Sequence, residues 1–212
     1  MFDESFITVG KECTTEFSEK KSIFISSVFV VTSQQEAEER VSMVRAQYPD
    51  ATHHCYAYVL KQGAYRRFND DGEPSGTAGM PILNVIDHLG LCNTLVVVTR
   101  YFGGIKLGAG GLVRAYSTGA AQVLTEAGKS IYVKGTRGVI EVDYDDHAIV
   151  ERFLLANGVV IENKNFAGGV EMTVKMSNSW DEIADAVTDM CRGGAICEML
   201  EHVYVKKDDI NE

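Results

Sequence analysis

A chain of 212 residues with 45% hydrophobic and 24% charged side chains has the composition of a globular protein, long enough for one large domain or two small ones. No apolar run approaches the ~18 residues that a membrane-spanning helix needs, and the N terminus lacks the pattern of a secretory signal, so a reducing cytoplasm is the expected location. Five scattered cysteines without a C-x-x-C pair argue against a zinc knuckle or a disulfide framework and favour buried, unreactive thiols.

The net charge of −10 is concentrated towards the C terminus. Residues 1–136 carry 13 basic and 14 acidic side chains, whereas residues 137–212 carry 7 basic and 16 acidic ones. Because nucleic acids are bound mostly through cations that meet phosphates, the second range is a poor candidate for a broad phosphate-binding surface. A basic patch can still form on the first range. The acidic range is expected to contact protein or to act as a spacer.

The first part of the chain begins with three strand-like runs over residues 6–31, rich in β-branched and aromatic side chains. Apolar residues then recur at helical spacing up to Tyr48, with Ser33 as the expected cap and Pro49 as the stop. The next predicted elements are a strand over residues 53–61, its hairpin partner over 65–70, a helix over 78–89, a strand buried on both faces over 93–102 and a helix from about 111 to 127.

After residue 136 the order of elements starts afresh, which places a domain boundary there and predicts domains over 1–136 and 137–212. The second domain reads as β-α-β-β-α-β, the order of the ferredoxin-like split βαβ unit, so the whole chain is expected to be α+β. Asp145 is the expected cap of its first helix. The strands are predicted over residues 138–144, 159–166, 169–176 and 198–205, and the helices over 145–158 and 179–191.

A glycine-rich loop lies between the buried strand and the long helix, with five glycines in residues 103–111. Glycines let backbone N–H groups approach a ligand, and a helix start adds unpaired donors and a positive dipole end, so the loop predicts an anion-binding site. The P-loop spacing is incomplete because Ala109 stands where its lysine belongs. The alternative is that the glycines serve close packing and left-handed turns. The candidate anion-binding residues are Arg100, Lys106, Gly108, Gly110, Gly111 and Arg114.

An acidic turn, DDGEPSGTAG over residues 70–79, places three carboxylates within four positions. Such carboxylates can hold Mg²⁺ or share a proton. The alternative is a structural turn fixed by Pro74, after which Ser75 or Thr77 caps the next helix. No cofactor is expected otherwise. The candidate ligand-site residues are Asp70, Asp71, Glu73, Ser75 and Thr77.

The remaining motifs do not define a reaction. His53 and His54 point to opposite faces of a strand, so both cannot serve one metal ion, and no metal site is predicted. Neither a G-x-S-x-G elbow nor an H-E-x-x-H motif is present, no catalytic residue can be assigned, and a non-enzymatic role is favoured. Since the acidic turn and the glycine-rich loop each lead into a helix, we expect them to face one cleft.

The same stretches carry a resemblance to a known family. DDGEPSGTAGMPIL followed by LVVVTRYFGGIKLGAGGLVRAYS closely resembles the Impact family, and ATHHCYAY is similar to its upstream segment. The best match covers residues 51–117, and the two-domain layout extends it to nearly the whole chain. The resemblance implies an N-terminal ribosomal-protein-like α/β domain, as in domain four of the translocating elongation factor, followed by a ferredoxin-like domain.

Three functional hypotheses follow. Eukaryotic members of the family act in translational control and carry an additional N-terminal RWD module, so their partner binding does not simply transfer. The first hypothesis is a regulatory factor that acts on translation by binding the ribosome, RNA or a translation factor, with Tyr101 or Phe102 offering a stacking surface. The second is an enzyme or binding protein for a phosphorylated small molecule, and the third is a protein-binding adaptor. Fold alone does not decide among them.

Overall fold

The computed structural model describes residues 5–60 and 64–207 and confirms the α+β class. Its contacts divide the chain into two units, one from Phe6 to Ser130 and one from Ile131 onwards together with the residues up to Ser5. The division falls within one long strand, β7 (Lys129–Val142), which also runs through residue 136, where the domain boundary is predicted.

The first unit is built on an antiparallel sheet with the strand order β2-β3-β6-β4-β5. The predicted hairpin partner, β5, pairs with β4 as expected, and Lys61 of the predicted strand lies outside the described residues. In chain order the elements are β1 (Ser5–Val9), β2 (Cys13–Glu19), β3 (Ser22–Val30), α1 (Gln34–Gln47), β4 (His53–Leu60), β5 (Tyr65–Asn69), α2 (Gly79–His88), β6 (Thr94–Tyr101) and α3 (Ala109–Ala127).

Strand β6 is buried on both faces of this sheet, as its near-continuous apolar sequence predicts. Val96 and Val98 belong to the core under α2 and α3, whereas Leu95 and Val97 belong to the core under α1. Because side chains alternate along a strand, Arg100 lies on the same face as Val96 and Val98. The strand therefore carries a guanidinium to the edge of the core that α2 and α3 cover.

The helix ends of the first unit agree with the sequence at α1 and differ at α3. Ser33 caps α1 as predicted, and its hydroxyl accepts a hydrogen bond from the backbone N–H of Glu36 at 3.1 Å. Helix α3 begins at Ala109, earlier than predicted, because Gly108 adopts a left-handed φ of 75° and its carbonyl accepts the first helical hydrogen bond from Leu112.

The second unit has the predicted order β-α-β-β-α-β. Strand β7 pairs with β9 and β10, β8 pairs with β9, and all three pairings are antiparallel. One apolar core joins the inner face of these strands to both helices. After β7 the elements are α4 (Tyr144–Ala156), β8 (Val160–Phe166), β9 (Val170–Met176), α5 (Trp180–Met190) and β10 (Ile196–Lys206).

Two predictions about the second unit are wrong in detail. The cap of α4 is Asp143, because Asp143 keeps an extended backbone and its carbonyl accepts from the N–H of His147, whereas Asp145 lies in the first turn. The carboxylate of Asp145 thus lies near the positive end of the helix dipole. Strand β7 begins at Lys129 and not at Gly138. Among the described residues, no helix is both long and apolar enough to cross a membrane.

Candidate functional site

Asp70, the first carboxylate of the acidic turn, holds the start of α2. Its Oδ1 accepts hydrogen bonds from the backbone N–H groups of Ala78 at 3.0 Å and Gly79 at 2.8 Å, and its Oδ2 accepts one from Gly76 at 2.9 Å. The first N–H groups of a helix have no intrahelical acceptors, so the carboxylate supplies the acceptors that these donors need. Asp70 is therefore a capping residue that reaches α2 from a preceding turn.

The predicted caps of α2 do not act as caps. Ala78 occupies the cap position, and no side chain of the cap residue bonds to the helix. Ser75 is exposed, while the hydroxyl of Thr77 donates to the carbonyl of Pro74 at 2.6 Å. The expectation that Ser75 or Thr77 caps this helix is thus wrong, because the carboxylate of Asp70 already occupies the donors.

Asp71, the second carboxylate, is bound by groups outside the turn. It accepts hydrogen bonds from the Arg45 guanidinium and from the backbone N–H of His54, each at 2.6 Å. Burial alone would raise the pKa of Asp71, but these two donors outweigh burial and hold the pKa below its ordinary value. Burial also lowers the pKa of the His54 imidazole, with the nearby Arg45 charge acting in the same direction.

Glu73, the third carboxylate, is buried in an ion pair. Its Oε1 accepts from Nη1 of Arg100 at 2.6 Å and from the hydroxyl of Tyr116 at 2.8 Å. The side chains of Glu73 and Arg100 are 4% and 5% exposed. A buried carboxylate needs such partners, because an unpaired charge in the interior costs several kcal/mol. Glu73 thus joins the acidic turn to strand β6 and to helix α3.

The three carboxylates do not converge on one point. Each one is engaged by its own donors: a helix start, a surface arginine with a backbone amide, and a buried arginine with a tyrosine. No group of three or more metal-ligating side chains occurs within residues 5–60 and 64–207. The magnesium hypothesis stays a prediction of the sequence, and the contacts of this turn do not support it.

Arg100 is placed by the register of the sheet. It lies opposite Phe24 of β3 and His53 of β4, and its guanidinium lies over the rings of Phe24 and Phe102. Its Nη2 donates to the hydroxyl of Ser22 at 3.3 Å, whereas its buried Nε has no hydrogen-bond partner among the described residues. Arg100, predicted as an anion-binding cation, is therefore buried and paired with Glu73, which balances most of its charge.

The alternative reading of the glycine-rich loop accounts for several of its glycines. A Cβ at Gly103 would lie 2.0 Å from the carbonyl atoms of Lys21, so close packing requires glycine there. Gly104 and Gly108 have φ angles of 81° and 75°, which favour glycine. A Cβ at Gly110 would meet no atom within 4 Å, and we find no structural reason for glycine at that position.

The start of α3 differs from that of α2 because no side chain of the described residues is seen to accept hydrogen bonds from its first N–H groups, as Asp70 does at α2. The cap residue is Gly108, and the first turn contains no acidic residue. Gly108 and Gly110 are exposed, and Gly111 is packed against Leu107, whose Cβ would lie 3.1 Å from an added methyl group. The first N–H groups of a helix have no intrahelical acceptor, so this end of α3 offers donors and a positive dipole end.

One cleft joins the acidic turn to the glycine-rich loop, as the sequence leads us to expect. Its volume is about 380 Å³, and it lies entirely within the first unit. Among the predicted residues, it brings together Glu73, Arg100, Lys106 and Gly108. The full lining is Thr52, His53, Glu73, Pro74, Arg100, Phe102, Lys106, Leu107, Gly108, Ala109 and Leu112.

Other predicted residues lie outside this cleft. Gly110 and Gly111 do not line it, although their backbone belongs to the first turn of α3. Arg114 lines a separate groove of about 490 Å³ between α2 and α3, together with His88 and Thr118. The structure therefore splits the predicted set of cations: Arg100 and Lys106 share the cleft, and Arg114 does not.

His53 lines the cleft, although the sequence does not identify it as a site residue. Its Nδ1 lies 2.8 Å from the carbonyl oxygen of Asp71, and since a carbonyl can only accept, Nδ1 carries the hydrogen. Its Nε2 lies 3.8 Å from Oε1 of Glu73. The alternation of β4 predicts that His53 and His54 face opposite sides, but only the register with β6 shows that His53 lies beside Arg100.

The nearby buried thiol and phenol keep their protons at neutral pH. Burial raises the pKa of Cys55 to about 12, and burial together with the neighbouring Cys55 and Glu73 raises the pKa of Tyr116 well above its ordinary value. The Cys55 thiol donates to the carbonyl of Asp70 at 3.0 Å. These groups act as hydrogen-bond donors inside the fold, and Cys55 fits the expectation of an unreactive thiol.

The fold and the cleft define a two-unit α+β protein in which a cleft of the first unit reaches the start of α3. The Impact N-terminal domain matches residues 20–124, and a domain of unknown function (DUF1949) matches residues 140–193. The chain belongs to the IMPACT family, as its relatives also show.

Two bacterial family members align with nearly the whole chain. IMPACT family member YvyE of Bacillus subtilis is 34% identical, over 96% of this chain and 94% of the relative. IMPACT family member YigZ of Escherichia coli is 33% identical, over 90% of this chain and 95% of the relative. A crystal structure described as that of a hypothetical protein is 32% identical, covers 94% of this chain and 99% of its own, and has a TM-score of 0.63.

Proposed function

We propose that this protein is a cytoplasmic, non-enzymatic factor that regulates translation and that binds RNA through its first unit. Family membership supports the translational link, because the sequence resembles eukaryotic members that act in translational control. The charge distribution supports the choice of unit, since residues 137–212 carry 7 basic and 16 acidic side chains and so repel phosphate. We assign that acidic range to contacts with protein.

The observation that carries the proposal is the cleft between the acidic turn and the glycine-rich loop. It combines the uncapped start of α3, the exposed ammonium of Lys106 and the guanidinium of Arg100. Phe102 lines the same cleft and is 47% exposed, so an aromatic surface stands next to the cationic groups. Phosphate contacts beside an aromatic ring are the elements with which single-stranded nucleic acids are bound.

Filter binding of a single-stranded RNA at increasing salt concentration tests this function. The affinity is expected to fall linearly on a log–log plot, because each neutralised phosphate releases counterions. Lys106→Glu is expected to weaken binding and to reduce the magnitude of the slope by about 0.7, the value of one phosphate contact on a single strand. Arg114→Glu is the matched control, because it makes the same charge change in the same unit outside the cleft.

Two outcomes of this experiment contradict the proposal. Binding that does not respond to salt would show that phosphate contacts do not contribute. Equal losses of RNA affinity for Lys106→Glu and Arg114→Glu would show that RNA binding depends on the overall charge of the unit and not on this cleft.

The concave shape of the cleft favours a second candidate, a protein that binds or modifies a phosphorylated small molecule. A volume of about 380 Å³ lies in the range of small-molecule pockets, which is roughly 300–1,000 Å³. A thermal-shift screen with nucleotides tests it. A nucleotide that raises the unfolding temperature, combined with no RNA binding, would favour this candidate over the translational factor.

A further inference from the structure

The first turn of α3 contains backbone donors that no side chain of its cap residue satisfies. Leu112 is the first residue whose N–H is bonded within the helix, to the carbonyl of Gly108 at 2.9 Å. The N–H groups of residues 109–111 precede it and by helix geometry have no intrahelical acceptor. The cap residue, Gly108, has no side chain to complement them, and the first turn contains no acidic residue.

An independent observation that indicates a ligand is an unsatisfied buried donor of Arg100, which also lines the cleft. The side chain of Arg100 is only 5% exposed. Its Nε has no hydrogen-bond partner among the described residues. Buried polar atoms are nearly always bonded, so an unpaired Nε–H next to a cleft is the exception that needs an acceptor. Its other nitrogens are bonded to Glu73 and Ser22.

The charges of the cleft match a terminal phosphate better than a phosphodiester. Glu73 balances Arg100, so the uncompensated charge is the ammonium of Lys106 plus the start of α3, which is equivalent to about +0.5. Their sum of about +1.5 corresponds to a phosphomonoester, which carries about −1.5 to −2 at neutral pH, and exceeds the single charge of a diester.

The rest of the cleft is suited to a flat, weakly polar group. Pro74, Leu107 and Leu112 line it, and Phe102 contributes a ring that is 47% exposed. Aromatic side chains bind nucleobases by stacking, which is worth about 1–3 kcal/mol per base. A ligand that joins a phosphate to a flat base therefore satisfies both parts of the cleft.

We propose that this cleft binds a nucleotide with a terminal phosphate, with the phosphate at the start of α3 near Arg100 and Lys106 and the base against Phe102. The proposal rests on the proposed function, in which the first unit binds RNA, and adds the chemical class of the bound group. The nucleotide has two sources, a free mononucleotide or the phosphorylated end of an RNA chain.

Calorimetric titration of the full chain separates the two parts of the ligand. Adenosine 5′-monophosphate is expected to bind at least tenfold more tightly than adenosine or inorganic phosphate. Phe102→Ala is expected to weaken binding of the monophosphate about tenfold and to change the affinity for inorganic phosphate much less, since the base stacks on Phe102 whereas the phosphate is affected only through the contact of Phe102 with Arg100. Lys106→Ala is expected to weaken binding of both the monophosphate and inorganic phosphate.

The substitution pair Ala109→Glu and Ala109→Gln tests the start of α3 directly. Ala109 lines the cleft in the first turn. The glutamate places its own carboxylate at the donors, so it is expected to reduce affinity for the monophosphate at least tenfold more than the glutamine of equal size. A carboxylate at a helix start also stabilises the helix, so the unfolding temperature of Ala109→Glu is expected to equal or exceed that of Ala109→Gln. Loss of binding then cannot be attributed to unfolding.

Titration with an RNA oligonucleotide carrying a 5′-phosphate or a 5′-hydroxyl distinguishes the sources. If the phosphorylated oligonucleotide binds more tightly than the monophosphate, the site is assigned to RNA ends. If the phosphorylated oligonucleotide and the monophosphate bind equally tightly, the site is assigned to the free nucleotide. Equal affinity for the two oligonucleotides without competition by the monophosphate would overturn this inference and leave RNA binding by the unit intact. Binding of the monophosphate without any RNA binding would instead overturn the proposed function.

Discussion

The helices α2 and α3 begin in opposite ways, although both cover the same face of the sheet. The carboxylate of Asp70 accepts hydrogen bonds from the N–H groups at the start of α2, whereas α3 has Gly108, which lacks a side chain, as its cap residue and no acid in its first turn. A helix start whose donors are satisfied by the protein contributes to stability. A helix start whose donors face a cleft leaves them available to a ligand and lacks the stability that a cap would add.

The largest expected effect concerns Glu73, which connects the acidic turn to the wall of the cleft. Glu73→Ala leaves the buried guanidinium of Arg100 without its carboxylate and the hydroxyl of Tyr116 without its acceptor. Breaking a buried pair by removing one partner costs about 3–5 kcal/mol, so we expect a loss of that size in the free energy of unfolding. Urea denaturation followed by circular dichroism measures it.

The double variant Glu73→Ala with Arg100→Met is the control for this effect. It removes the unpaired charge together with its partner, so it is expected to recover part of the lost stability. A double variant as unstable as the sum of both single changes would mean that the pair is not coupled as its 2.6 Å contact indicates.

The second effect tests the satisfied helix start. Asp70→Ala removes the acceptor for three backbone N–H groups and is expected to lower the free energy of unfolding by about 1–2 kcal/mol, the upper part of the range for a lost cap. Asp70→Asn keeps one side-chain oxygen, so its free energy of unfolding is expected to lie between those of the wild type and Asp70→Ala. The exposed Asp50 gives the matched control, and Asp50→Ala is expected to change stability by less than about 0.5 kcal/mol.

Local patterns in the sequence predict most of the fold. Ser33 and Pro49 bound α1 because a capping hydroxyl and a helix-breaking ring act within a few residues, and the apolar run of β6 indicates burial on both faces. The cap of α4 is missed because Asp143 and Asp145 are equally good capping residues, and only the backbone shows which one stays extended. Strand β7 is longer than predicted because Gly135 and Gly138 interrupt its pattern and indicate a break between domains that the backbone does not make.

The site depends on contacts that local patterns do not contain. Glu73 and Arg100 are 27 positions apart, and they meet because the turn lies over the end of β6. The capping role of Asp70 also cannot be predicted from local patterns, since its carboxylate oxygens accept from N–H groups up to nine residues later. The sequence predicts an anion site at the junction before α3, but it cannot separate Lys106 from Arg114, which line different grooves.

A smaller effect tests the open helix start. Gly110 lies in the first turn of α3, and an added Cβ would meet no atom within 4 Å. Gly110→Ala is therefore expected to raise the free energy of unfolding by up to about 1 kcal/mol, the difference in helix propensity. Gly111→Ala is the matched control, because its methyl group would lie 3.1 Å from Leu107 and part of the gain would be lost to crowding. Equal gains at both positions would contradict this account of the first turn.

The smallest effect concerns pH and the carboxylate of Asp71. Because Arg45 and the His54 amide hold its pKa below the ordinary value in the folded chain, the unfolded chain binds more protons in acid. The resulting stability is fully present above the ordinary pKa of 3.8 and is lost as the pH falls through the lower pKa of the folded state. Arg45 is 44% exposed, so the ion-pair contribution is expected to be only about 0.2–1 kcal/mol.

Urea denaturation of the wild type and of Asp71→Asn, at neutral pH and below about pH 4, measures this contribution. The asparagine does not titrate, so the difference in the free energy of unfolding between the two proteins is expected to shrink in acid. A difference that stays constant from neutral to acid pH would show that Asp71 acts only as a hydrogen-bond acceptor. In that case the contact between Asp71 and Arg45 of α1 would contribute no charge-dependent stability.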